Sequence, residues 1–366
     1  MKVAIRVDAS VAIGTGHVRR MVSLADALAR KGAEVRFIWR DHGLDVKAML
    51  PNPLWSVQPL RAPLYHDTPP EGRAHGEWGR VASELDAAET IARIKDFGPD
   101  WIVIDHYAYG LQWHAAIRTG TAARLAVIDD LADSSVAADI IVDQNYHPAP
   151  ATKFAGLNVA DAILLAGPAY AMLADSYADA PRYQFSETVR SIGIFMGGVD
   201  APGTSLIALQ AIDLANLDCH VEIASTDANP NLAALRRAAA ARPKTTLTTN
   251  LPHLAGFFAH HDLQIGAGGG ALWERLCIGA PTIAVICAEN QRESVPYLAD
   301  IGAVRMADGL QAPADATNAI ALQLLALAEA PDAREAMMKL GKTMVDGCGS
   351  TRIADALGQF NQGNSR

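Results

Sequence analysis

The chain has 366 residues, 50% hydrophobic and 19% charged, with Gly and Pro near ordinary usage, a composition that excludes disorder and fits a well-buried α/β protein. That length exceeds what one hydrophobic core usually organises and predicts two domains. A formal net charge of -9 supplies no positive field for nucleic acid or an anionic membrane, so any phosphate must be bound locally.

In chain order, short β-branched runs alternate with Ala/Leu-rich segments of helical period, which predicts parallel sheets with crossover helices. The first run, Val3-Ala4-Ile5, meets Arg6 and Asp8 at once and is too brief for a signal peptide. Strands are expected over 3–8, 34–40, 101–105, 124–129 and 139–143. A helix is expected over 18–30, where Val22, Leu24, Ala25 and Leu28 make an apolar face and Lys31-Gly32 supplies the stop. Residues 51–78, with six prolines and scattered aromatics and histidines, read as an irregular excursion near the cleft.

The rhythm weakens over 168–186, which reads as a linker, and places an N-terminal Rossmann-like domain at 1–180 and a second at 181–366. The second alternation has strands at 191–196, 220–224, 245–249, 263–266 and 282–287, and helices at 205–215 and 272–278. From 312 onward the chain is mostly helical, broken at 347–350 before a last segment at 351–360. The expected architecture is two facing, doubly wound Rossmann-like domains with a cleft between them, ligands binding at the C-terminal strand ends.

Two glycine-bearing strand-to-helix turns stand out. In the first, Asp8 ends a strand, where it is a candidate substrate contact, and Gly14-Thr15-Gly16-His17 opens the helix, so Gly14 and Gly16 allow positive φ and let backbone amides approach an anion or a reacting centre. The turn lacks both GK[ST] and the third Gly of GxGxxG, so neither nucleotide fingerprint applies. The helix dipole favours a neutral imidazole at His17, the form a general base needs. Alternatively, the glycines merely make a tight turn that His17 caps. In the second turn, Gly268-Gly269-Gly270 precede a helix carrying Glu274, an arrangement suited to a diphosphate on the amides and ribose hydroxyls on the carboxylate; a glycine turn with an exposed Glu is the plainer reading. Gly197-Gly198, at the first strand end of the second domain, gain meaning only beside that loop.

Polar strand exits at Asp105-His106-Tyr107, Asp129-Asp130, Asp143-Gln144-Asn145 and Asn290-Gln291 are equally sugar contacts or caps and turns. His260-His261-Asp262 lacks ligand spacing, and no HExxH, Cys/His cluster or G-x-S-x-G elbow is present, so no metal or other cofactor is expected. The four cysteines, Cys219, Cys277, Cys287 and Cys348, show no CxxC spacing and read as buried free thiols of a reducing, cytoplasmic compartment. No window approaches the ~18 apolar residues of a membrane span.

The motifs at 6–20, 103–108, 127–133, 143–145, 164–173, 196–200, 266–275, 289–291 and 345–357 together resemble the UDP-2,4-diacetamido-2,4,6-trideoxy-beta-L-altropyranose hydrolases of pseudaminic acid biosynthesis (PseG family), which are similar in fold to GT-B glycosyltransferases. The resemblance implies catalysis from the N-terminal domain and UDP on the C-terminal one. It places the proposed base on His17, the tyrosine of a DHY motif on Tyr107, the nucleotide-contacting glutamate on Glu274, the asparagine of an NQ motif on Asn290, and the glycine motifs on Gly197-Gly198 and Gly268-Gly269-Gly270. Gly270, Val199 and Ala174 depart from the family pattern, where Ser or Thr, Ser, and Arg respectively are usual. The expected reaction is inverting hydrolysis at the anomeric carbon. Alternatives are a GT-B glycosyltransferase, a hydrolysing epimerase, or a silent nucleotide-sugar binding module, which retention of His17 argues against.

Overall fold

A computed structural model describes residues 1–10, 12–64, 67–68, 70 and 75–363. Of the 51–78 excursion, residues 65, 66, 69 and 71–74 lie outside the described residues. The chain divides into two compact units, Met1–Asp175 with Cys348–Arg366, and Ser176–Gly347.

The first unit is a parallel sheet of β1 (Lys2–Val7), β2 (Glu34–Arg40), β3 (Ser56–Leu60), β4 (Trp101–Asp105), β5 (Arg124–Ile128), β6 (Ile140–Asp143) and β7 (Ile163–Ala166), ordered β3-β2-β1-β4-β5-β6-β7. In register, Ile5 pairs with Phe37 on one side and Val103 on the other. The direction of winding reverses between β1 and β4, which is where an open α/β sheet forms its crevice.

Strand alternation sorts the core. Val3, Ile5 and Val7 share one cluster with Val18, Met21, Leu24 and Leu28 of helix α1 (Gly16–Arg30), whereas Ala4 shares another with Ile102, Ile104, Trp113 and Ile117. Full burial of Leu24 and Leu28 contributes about 1.5–3 kcal/mol each. Helices α2 (Ser83–Ile94), α3 (Leu111–Gly120) and the short α4 (Pro150–Lys153) complete the crossovers.

The second unit repeats the scheme with β8 (Ser191–Phe195), β9 (His220–Ser225), β10 (Thr245–Thr249), β11 (Leu263–Ala267), β12 (Thr282–Ile286) and β13 (Arg305–Asp308), in the parallel order β10-β9-β8-β11-β12-β13. Here the winding reverses between β8 and β11. The helices are α5 (Thr204–Leu214), α6 (Leu232–Ala241), α7 (Ala255–His260), α8 (Ala271–Ile278), α9 (Val295–Asp300), α10 (Pro313–Ala328) and α11 (Pro331–Met344).

The last helix, α12 (Gly349–Gly363), belongs to the first unit and not, as its place in the sequence suggests, to the second. Ile353, Ala354 and Leu357 enter the α1-side core, and Trp101 Nε1 donates to Leu357 O at 3.1 Å. The chain leaves the first unit after Asp175, a few residues before the expected boundary at 180. Cys219 and Cys277 are buried, Cys287 and Cys348 only half-buried, and none of the four is in a disulfide. No helix among the described residues is long and apolar enough to cross a membrane.

Candidate active site

At the β1/β4 switch point the sequence makes a tight turn. Gly14 adopts φ +78° and its amide donates to Ser10 O at 2.8 Å, which returns the chain so that α1 starts at Gly16 with His17 in its first turn. A side chain at Gly14 would be strained by that backbone.

His17 is largely buried, and its Nδ1 donates to Asp105 Oδ1 at 2.7 Å from the end of β4. Burial alone would raise the Asp105 carboxyl, but the Arg20 guanidinium and the His17 imidazole outweigh it and hold it well below the usual carboxylate range. An ionised carboxylate only accepts, so the proton of this hydrogen bond sits on Nδ1, and in the neutral ring Nε2 is the nitrogen that carries the lone pair.

Arg20, one helical turn after His17, fixes the carboxylate from its other side. Its Nε lies 2.6 Å from Asp105 Oδ2 and its Nη2 2.6 Å from Oδ1, while Nη1 reaches Asp130 Oδ2 at 2.5 Å. Tyr107 donates to the same Asp130 oxygen at 2.5 Å. Burial, then the Asp130 charge, pushes the Tyr107 phenol well above its ordinary value, so it stays a neutral donor. The Tyr107 ring meets the His17 ring edge-on at 4.7 Å and stacks on Trp78 at 5.9 Å; Trp78 stands 6.1 Å from His17. The result is an imidazole with one nitrogen anchored, its orientation set by an Asp–Arg–Asp–Tyr chain and its flank covered by aromatic rings.

Asp8 plays a different part from the ligand contact expected of it. Its carboxylate is fully buried, accepting from Arg6 Nη1 (2.5 Å) and Arg40 N (2.6 Å), with His42 Nε2 at 3.2 Å and His106 Nε2 at 3.1 Å from Oδ2. Arg6 also pairs with Asp86, which holds Arg40 in turn. Burial opposes the Asp86 charge, but Arg6 and Arg40 bring its pKa down to about 2. Removing one member of such a cluster costs about 3–5 kcal/mol, which makes Asp8 a structural support beneath the turn. Asp129 caps a turn through the amides of Leu131 and Ala132, and Gln144 accepts from Met172 N.

In the second unit the expected residues gather at the β8/β11 switch point. Gly268 spends its amide on Val285 O at 2.9 Å, and a Cβ there would stand 2.5 Å from Val295 Cγ2 and 3.2 Å from Gln291 Oε1. Glycine is required by that close approach. Gln291 is pinned in turn, accepting from Cys287 N at 2.8 Å. Space around the Cβ direction of Gly270 is open, so the hydroxyl missing at this position is not replaced by a neighbour. Glu274 receives the hydroxyl of Tyr177 at 2.5 Å, a partner from the linker segment that sequence reading missed. Gly197, at φ +92°, turns the chain out of β8, but the first amides of α5 are taken by Asp200, which accepts from Thr204 N (2.8 Å) and Ser205 N (3.1 Å). A carboxylate occupying that helix start leaves the Gly269-Gly270 start of α8 as the better anion cradle. Asn290 lies half-buried in the turn after β12, beside Gln291.

The sequence reading also missed Arg20, Trp78 and the pairing of Asp105 with His17. Arg20 had a signal, since i and i+3 share a helix face.

Two Rossmann-like domains, each with its polar residues at the switch point of a parallel sheet, define a GT-B-like fold. The crystal structure of MurG from Acinetobacter baumannii superimposes with a TM-score of 0.65 at 15% identity, over 98% of this chain and 100% of that one. In sequence the chain is similar to the spore coat polysaccharide biosynthesis protein SpsG of Bacillus subtilis, 25% identical over 362 residues and 98% of each protein. It is similar as well to the UDP-2,4-diacetamido-2,4,6-trideoxy-beta-L-altropyranose hydrolase of Campylobacter jejuni, 24% identical over 302 residues, 82% of this chain and 97% of that protein. No protein-family model matches the chain.

Proposed function

We propose that the protein is a nucleotide-sugar hydrolase that cleaves a UDP-sugar at its anomeric carbon with inversion, releasing UDP and the free sugar. The observation that carries this reading is the His17–Asp105 pair, 2.7 Å apart and clamped by Arg20. A single fixed imidazole suits one proton transfer, whereas glycosidases acting on poor leaving groups use two carboxylates.

In the proposed step, the oxygen of water bonds to the anomeric carbon as the bond from that carbon to the diphosphate oxygen breaks. His17 Nε2 takes the water proton, and Asp105 stabilises the imidazolium formed. Such a base is worth ~10²–10⁴-fold in rate. UDP departs as a weakly basic diphosphate, its charge met by the amides of Gly269 and Gly270 ahead of α8, with Glu274 on the ribose. The likeness to the Campylobacter hydrolase supports this substrate class, and a diacetamido UDP-sugar of that type is the substrate we propose.

Incubation of the protein with that UDP-sugar, without any acceptor, should release UDP and sugar in equal amounts, with solvent ¹⁸O on the sugar. His17→Ala should lower the rate by ~10²–10⁴-fold. Turnover only with an added hydroxyl acceptor would make the protein a glycosyltransferase, and recovery of an epimer would make it an epimerase. UDP binding without turnover would mark a binding module.

A further inference from the structure

Beside His17 the first unit holds a cavity of about 520 Å³ lined by Ser10, Ala12, His42, Glu77, Trp78 and Arg80. Trp78 belongs to both places, lining the cavity and meeting the His17 ring edge-on at 6.1 Å. His42 is locked there by its Nε2 at 3.2 Å from Asp8 Oδ2, a buried carboxylate kept ionised, against the cost of burial, by Arg6, His106 and His42 itself. That carboxylate accepts only, so His42 carries a proton on Nε2.

Glu77 and Arg80 are exposed and, among the described residues, have no ion-pair or hydrogen-bond partner. Arg80 holds a left-handed backbone at φ +60°, a conformation an arginine adopts at some cost. Among the described residues the lining thus combines an acceptor-only carboxylate, a donor-only guanidinium and an indole face, and the formal charges of Glu77 and Arg80 cancel. Those residues offer a diphosphate no net attraction. A secondary amide fits, because its C=O needs a donor, its N–H needs an acceptor and its methyl needs an apolar cover.

We infer that this cavity recognises an N-acylamino substituent on a neutral sugar ring, with Arg80 donating to the acyl oxygen, Glu77 accepting the amide N–H and Trp78 covering the methyl group. The inference rests on the nucleotide-sugar reading for its place in the reaction, but the subsite stands on its own lining residues. It makes Glu77 and Arg80 specificity determinants for an acetamido sugar over its hydroxyl counterpart.

The test uses the full chain with free N-acetylglucosamine and glucose, which differ by one acetamido-for-hydroxyl exchange, and reads binding by saturation-transfer NMR. Wild type should prefer N-acetylglucosamine by about tenfold or more, the worth of one charge-assisted hydrogen bond. Arg80→Ala and Glu77→Gln, both at exposed positions, should each bring that ratio near one. Equal binding of the two sugars by wild type, or a preference that survives both substitutions, overturns the subsite. A parallel titration with UDP separates this from the broader reading. UDP binding with no acetamido preference sinks the subsite alone, while an Arg80- and Glu77-dependent preference without UDP binding upholds the subsite and sinks the nucleotide reading.

Discussion

Asp105 is the residue whose chemistry is most exposed to test. Asp105→Asn leaves a side chain of the same size, but an amide can donate to Nδ1 and so favours the wrong tautomer, with the proton on Nε2. Arg20 keeps Asp130 as a partner at 2.5 Å, so the helix turn should stay in place. On the proposed mechanism kcat should fall by ~10²–10⁴-fold with UDP affinity unchanged. A kcat within twofold of wild type would remove His17 from the role of base. The pairing could not be read locally: His17 and Asp105 are 88 residues apart and meet only because β4 crosses over to lie beside β1. The glycine turn and the histidine were legible, because positive φ and a helix start leave marks in a few adjacent letters.

Asp143 sets a pH dependence of the opposite sign to the arginine-held acids. Burial, then the charge of Asp130, raises its pKa to about 7, even though Lys153 Nζ sits 2.7 Å away. The unfolded chain releases that proton near 3.8. Between these values the folded state binds more protons, so stability falls as pH rises from about 4 to about 7, by an amount on the order of 1–3 kcal/mol. Asp105 and Asp86, held low by arginines, act below that window: their contribution is present above about pH 4 and fades as pH drops toward 2. The melting temperature of Asp143→Asn relative to wild type should therefore climb from pH 4 to 7 and then level. A difference that stays flat across the window would mean Asp143 titrates normally.

At the scale of elements, α12 closes the first unit from the far end of the chain. Leu357 is fully buried against the α1 side of the sheet and its carbonyl accepts from Trp101. Leu357→Ala should cost about 2–5 kcal/mol in denaturant unfolding. Ending the chain after residue 347 should loosen residues 1–175 to protease while 176–347 resist. Uniform sensitivity of both segments would mean that α12 supports the second unit as well.

The elements show where sequence reading works and where it fails. Central strands such as β4 and β12 are buried on both faces and announce themselves as continuous apolar runs. The strands that escaped notice, β3, β7 and β13, each lie at a sheet edge. An edge strand is held from one side only and tolerates letters that blur its pattern: Pro59 within β3, and exposed Arg305 and Met306 in β13. The destination of α12 was unreadable for a related reason, since its amphipathic face names no partner.

The whole molecule is an insertion of one doubly wound unit into another, and that topology has a direct consequence. In the first unit Gly349 packs so closely on the Tyr170–Ala171 backbone that a Cβ would stand 2.2 Å from Ala171 O. In the second, a Cβ on Gly347 would stand 2.8 Å from Ala178 N. Within each unit, then, the two chain ends created by dividing them lie side by side, the arrangement under which inserted domains can be excised and outer domains rejoined. Residues 176–347 have their own sheet and their own core, built from Ile192, Ile194, Ile265 and Val285 with Leu209, Ile212 and Leu324. Expressed alone, this segment should unfold cooperatively and, if the glycine loop and Glu274 hold the nucleotide, bind UDP within about tenfold of the full chain's affinity. A segment that folds but ignores UDP would move the nucleotide site elsewhere. A segment that fails to fold would show that its core is insufficient without the rest of the chain, which its complete parallel sheet and buried apolar cluster argue against.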